Sequence, residues 1–171
     1  MKNVVLFCLM LLVCVAGRSQ EVGAAKHMFK VFYYDKNDVR TDIPENEHVS
    51  TKLSGGILVH KAKIVLLGDT AKINLSNHKE LYVEIVDTIQ LKPEYFHILK
   101  LKVKKGNREA TRWSNSPVGV KDSSDDIIPT MLYPTDRNSY RVDIKDLPSG
   151  HYLVLYQEGL NTLLEVYDFD K

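Results

Sequence analysis

Apolar residues in this chain recur at every second position, and no stretch beyond the first twenty residues carries a helical apolar face. Leu81-Tyr82-Val83-Glu84-Ile85 and Tyr140-Arg141-Val142-Asp143-Ile144 alternate, as does the longer run from His97 through Leu99, Leu101 and Val103 to Lys104. Side chains on a strand point to opposite faces in turn, so this period is the mark of half-buried strands. Parallel strands need helical crossovers, and with none to find, the sheets must be antiparallel. The runs are punctuated by turn chemistry at Lys105-Gly106-Asn107, Pro148 to Gly150, and Glu158-Gly159. The expectation is an all-β antiparallel sandwich of about seven to nine strands.

The first nineteen residues stand apart. Lys2 precedes an almost unbroken apolar run over residues 4–16, too short to span a bilayer comfortably, followed by the small residues Ala16, Gly17 and Ser19. This is the layout of a signal peptide over 1–19, cleaved after Ser19 or after Gly17, and its style resembles the leaders of exported Gram-negative bacterial proteins. A secreted or periplasmic location follows as the expectation. Cys8 and Cys14 both lie inside this segment, so the remaining chain has no thiol for a disulfide, a metal site or a nucleophile. Removing Lys2 and Arg18 takes the formal charge from +1 down by two, to −1. A near-neutral domain gives no general reason to bind nucleic acid, and no later apolar run is long enough for a transmembrane segment. Residues 20–54, polar and interrupted by Pro44, read as a tether with one short strand at 29–33, and residues 55–171 as the sandwich domain.

The stretch Asp146-Leu147-Pro148-Ser149-Gly150-His151-Tyr152-Leu153-Val154 carries a family resemblance. It resembles the tyrosine corner of immunoglobulin-like sandwiches, where a tyrosine opens the sixth strand two residues before a core position. Tyr152 is that tyrosine, Val154 stands at the core position that is a cysteine in antibody domains, and Gly150 belongs to the turn. The resemblance implies that residues 140–144, 151–157 and 163–169 are strands E, F and G, and that the Tyr152 hydroxyl bonds to upstream backbone. A looser likeness to exported bacterial domains rests on three features. They are the run from Gly68 through Ala71 and Ile73 to Leu75, the basic hairpin, and the final Tyr167-Asp168-Phe169. It implies compartment and fold, without chemistry.

Candidate sites are few. No two of the six histidines have metal-ligand spacing, and there is no G-x-S-x-G elbow. No cofactor is implied. The cluster Asp122, Asp125 and Asp126 reads as a solvated loop before it reads as a calcium site, since it lacks the EF-hand order and glycine. The most informative feature is the basic hairpin: Lys100, Lys102 and Lys104 on one face, extended by Lys105, Arg108 and Arg112. It reads either as a solvated face whose lysines protect an edge, or as a patch for an anionic glycan or envelope protein. Aromatic interleaving is absent, which favours the first. The functional expectation is a secreted non-catalytic binding or assembly module of the cell envelope. The alternative is an accessory domain or hydrolase acting on an envelope substrate.

Overall fold

The alternating runs pair into two antiparallel sheets in a computed structural model that describes residues 28–55, 60–86, 91–116, 119–121, 126–136, 138–157 and 165–171. The strands are β1 (Phe29–Tyr34), β2 (Arg40–Ile43), β3 (Val49–Gly55), β4 (His60–Leu67), β5 (Glu80–Ile85), β6 (Phe96–Lys104) and β7 (Asn107–Ser116). They continue as β8 (Gly119–Lys121), β9 (Ile127–Ile128), β10 (Leu132–Asp136), β11 (Ser139–Asp143), β12 (His151–Tyr156) and β13 (Val166–Asp170). A 3-10 turn, Pro93–Tyr95, leads into β6. One sheet runs β10-β11-β5-β1-β2. The other runs β13-β12-β6-β7-β4-β3, with β8 beside β7 and β9 beside β6. Residues 1–19, read as a leader, lie outside the described residues.

The main core lies between the sheets. Phe29 and Val31 of β1, Leu81 and Val83 of β5 and Val142 of β11 meet Phe96 and Ile98 of β6, Tyr152, Val154 and Tyr156 of β12, and Tyr167 and Phe169 of β13. The Tyr152 hydroxyl donates to the Pro148 carbonyl at 2.5 Å, so the expected bond to upstream backbone, four residues away, is present. The first and last strands are also tied together. The Tyr167 hydroxyl donates to the Phe29 carbonyl at 2.6 Å, and the Glu165 carboxylate accepts from the Met28 and Phe29 amides.

A second core fills the other face of β6, β12 and β13: Leu99, Leu101, Leu153, Leu155 and Val166 pack with Ile64 and Leu66 of β4 and Ala110 of β7. These side chains are nearly solvent-free because the sheet rolls over on itself. Just before β3, Glu45 forms a bridge to Tyr167 and the Asn46 amide donates to the Val166 carbonyl at 2.8 Å, both on β13. Three residues later Val49 pairs with Leu66 at the opposite end of the same sheet. Four residues of chain reach about 14 Å at most, whereas the edges of a flat six-stranded sheet stand roughly 24 Å apart. Residues 45–49 can join both ends only if the sheet is curled.

This closure accounts for the differences from expectation. Residues 35–54 are not a tether: they supply β2 and β3, whose inward residues are few, Ile43 and Val49 chief among them, so no alternating apolar run announces them. Residues 71–75, where Ala71, Ile73 and Leu75 alternate with polar residues as in a strand, do not form one. Asn74 makes one parallel bridge to Asp170, and Leu75 turns inward with its amide on the Asp170 carbonyl. The strand segments therefore exceed seven to nine. The β6–β7 hairpin is tighter than expected, because Lys104 faces Asn107 directly and leaves a two-residue loop. Lys105 and Gly106, at φ 53° and 74°, give it the type I′ form that matches strand twist.

Candidate functional site

The roll separates the basic residues of the hairpin by parity. Lys52 of β3 lies opposite Lys63 of β4, which lies opposite Thr111 of β7, and Glu109 of β7 lies opposite Lys102 of β6, with Lys104 two residues further on. Directly opposed residues share a face, so Lys52, Lys63, Lys102 and Lys104 form one outward surface, with Lys61 beside Lys63 and Lys105 at the turn tip. Lys52, Lys61, Lys102, Lys104 and Lys105 are exposed. Two carboxylates sit among them. Lys63 Nζ reaches Glu109 Oε2 at 2.7 Å, and Lys102 Nζ reaches Asp126 Oδ1 at 2.6 Å. Hydrogen bonding from Lys63 holds the Glu109 carboxyl below its usual range. Burial works to raise the Asp126 carboxyl, but the Lys102 ammonium and the Thr111 amide outweigh it and hold it low. Between these groups lies a cleft of about 170 Å³.

Arg108 and Arg112 are not on this surface. Ala110 and Arg108 oppose Ile64 and Leu66, the inward residues of β4, and both arginines are buried, at 2% and 3% exposure. Arg108 Nη1 meets Asp168 Oδ2 at 2.5 Å, and its Nε and Nη2 donate to the carbonyls of Gly68 and Leu67. Asp168 accepts a second bond from Asn46 Nδ2 at 2.8 Å. Toward the other end of the rolled sheet, Arg112 Nε donates to Gln157 Oε1 at 2.7 Å, and burial lowers the affinity of its guanidinium for the proton. A buried charge is tolerated only when paired and hydrogen-bonded. These arginines thus finish the polar ends of an apolar interior.

The remaining expected residues separate cleanly. Lys100 is half-buried beside Gly150, and its amide donates to the Asp126 carbonyl. Gly150 exchanges two backbone bonds of 2.8 Å with Lys171. Val154 is buried in the main core. Sequence reading missed Lys52, Lys61 and Lys63. The spacing Lys61-x-Lys63 beside Ala62 and Ile64 is the available signal, but only the pairing of β4 with β7 brings it next to the hairpin.

His151 Nδ1 lies 2.7 Å from Asp170 Oδ1 across β12 and β13, and no hydroxyl among the described residues bonds to the other ring nitrogen. Among the described residues no group of three or more His, Asp or Glu is placed to hold a metal ion. Of the acidic cluster, Asp122 and Asp125 lie outside the described residues. No helix among the described residues is long and apolar enough to cross a membrane. No protein family, curated protein or solved structure matches this chain.

Proposed function

We propose that this chain is an exported, non-catalytic binding or assembly module of the bacterial cell envelope, built on an immunoglobulin-like sandwich, and that its lysine face takes an anionic partner. The leader-like residues 1–19 support the compartment. Strand order supports the fold relationship. The order β10-β11-β5-β1 follows D-E-B-A of such domains, and β13-β12-β6-β7 follows G-F-C-C′. The Tyr152–Pro148 bond stands where their tyrosine corner does. On this reading β2, β3 and β4 are an insertion between strands A and B that rolls over the second sheet.

The observation that carries the binding role is the shared outward face of Lys52, Lys61, Lys63, Lys102 and Lys104, drawn from β3, β4 and β6 with β7 between the last two, and only partly neutralised by Glu109 and Asp126. A one-sign surface of this kind recruits polyanions, and salt weakens the attraction. The test is titration with polygalacturonate at low and high salt. The Lys52 and Lys104 side chains make no hydrogen bond or close ion pair with a described residue and reach Glu109 only through space, so Lys52→Glu/Lys104→Glu reverses charge without breaking a side-chain bond. Salt-sensitive binding that this variant loses is the expected result. Binding indifferent to both salt and the variant would remove the lysine face from the function.

A further inference from the structure

We infer that a second site, on the other sheet, binds an uncharged oligosaccharide by stacking sugar rings on Tyr34. The outer face of the five-stranded sheet carries Phe32 and Tyr34 of β1 beside Tyr82 of β5. Phe32 and Tyr82 stack, with centroids 5.2 Å apart and planes 15° from parallel. Tyr34 stands nearly perpendicular to both, at 5.6 and 5.2 Å. The Arg40 guanidinium lies over the Phe32 ring, 3.8 Å from its centroid, and is itself held by Asp42 and Glu84. Phe32 is thereby sealed, while Tyr34 keeps 43% of its surface exposed. The platform is thus ordered before any ligand arrives, which lowers the entropy lost on binding.

Tyr34 and Tyr82 border an open trough of about 730 Å³ that continues over the β1–β2 turn and the segment before β5. Its polar lining is mixed in sign, with the three carboxylates of Asp35, Asp38 and Glu80 set against Lys36 and Lys79, and with the Asn77 amide among them. A strongly charged ligand would meet repulsion from one set or the other, while a neutral polyol can donate to the carboxylates and accept from the ammoniums and the amide. His78 adds a donor with a fixed direction. Its backbone is tied at both ends, through its amide to the Leu75 carbonyl and through its carbonyl to Lys171 Nζ. Its ring packs edge-on to Tyr33 at 4.7 Å, and Nδ1 is buried without a partner. A buried donor without an acceptor is worse placed than a buried lone pair, so in the neutral ring the proton belongs on Nε2, the nitrogen that is not buried. Flat apolar ring faces with hydroxyls around the edge are the chemistry of a pyranose, and a tyrosine platform ringed by mixed donors and acceptors complements it.

The site shares no residue with the lysine face, and salt separates the two. Isothermal titration calorimetry of the whole protein with laminarin, galactomannan, xyloglucan and glycogen is the experiment. The expected result is binding to at least one of them that persists when salt is raised to about 0.5 M. Tyr34→Ala weakens it about tenfold, as loss of a stacking ring should, and Tyr34→Phe retains it. Asn77→Ala, at an exposed position, weakens it as well and serves if Tyr34→Ala unfolds by circular dichroism. Absence of binding to all four probes, binding abolished by salt, or binding unchanged in both Tyr34→Ala and Asn77→Ala overturns the proposal.

Discussion

Replacing Arg108 by methionine tests the rolled sheet at its most exposed claim, that a charged hairpin residue is interior. Arg108 is 2% exposed and Asp168 8% exposed, and Arg108 places three donors on Asp168, Gly68 and Leu67. In Arg108→Met the Asp168 carboxylate keeps only the Asn46 amide as a partner. A buried charge deprived of its counter-ion costs about 3–5 kcal/mol, a large share of the roughly 5–15 kcal/mol that holds a domain together. The double variant Arg108→Met/Asp168→Leu removes both charges at similar volume and should recover most of that loss, since no uncompensated ion remains. Urea unfolding followed by circular dichroism gives both numbers by linear extrapolation. The penalty should persist from about 0.1 M to 1 M salt, although the Debye length falls from about 10 Å to 3 Å, because solvent ions do not enter between the groups. A single-variant cost under about 0.5 kcal/mol is what a surface residue would show. That result, or strictly additive costs in the double variant, would refute the closure of β7 against β13.

Two further perturbations probe the corner and the lysine face. Tyr152→Phe removes the bond to the Pro148 carbonyl and should lower unfolding stability by about 1 kcal/mol; an unchanged urea midpoint would strip the corner of its role. Asp126 has a folded-state carboxyl held below the unfolded value, near 3.9. The folded chain therefore binds fewer protons in that range, and the stabilisation is complete above about pH 5 and lost as pH falls through the lower folded value. Asp126→Asn should flatten the fall in the urea midpoint between about pH 5 and pH 2, and an identical acid profile would show that the Lys102 and Thr111 contacts contribute nothing.

Fold class was legible because strand parity is a local property. In β12, Tyr152, Val154 and Tyr156 face one core while Leu153 and Leu155 face another, so the segment is apolar on both sides. That doubling is visible in the sequence as a run without polar interruption, and a strand buried on both faces reads this way. The Tyr152–Pro148 bond was legible for the same reason, since its donor and acceptor are four residues apart. β2 and β3 were not, because their positions depend on partners: Arg40-Thr41-Asp42-Ile43 is a strand only because β1 lies beside it.

The charged residues of β7 show where local reading stops. Arg108, Ala110 and Arg112 occupy one parity and Glu109 and Thr111 the other, so the more basic side is the interior one. A period-two rule assigns the inside to the more apolar set, and over residues 108–112 each set holds one small or weakly polar residue and no large apolar one; Trp113 would favour the Glu109 set, but a register shift in the pairing with β4 comes before it. The partners that decide the matter, Asp168 for Arg108 and Gln157 for Arg112, lie 60 and 45 residues further along. Rolling β3, β4 and β7 over the outer face of β6 and β12 has two effects that are one event. It closes the arginines around carboxylate and amide acceptors, and it turns the opposite parity of the same strands outward, where Lys52 and Lys63 join Lys102 and Lys104. The exposed charge at this face is therefore set by the closure, and a variant that opens the roll at Arg108 should also scatter the lysines of the proposed anion site.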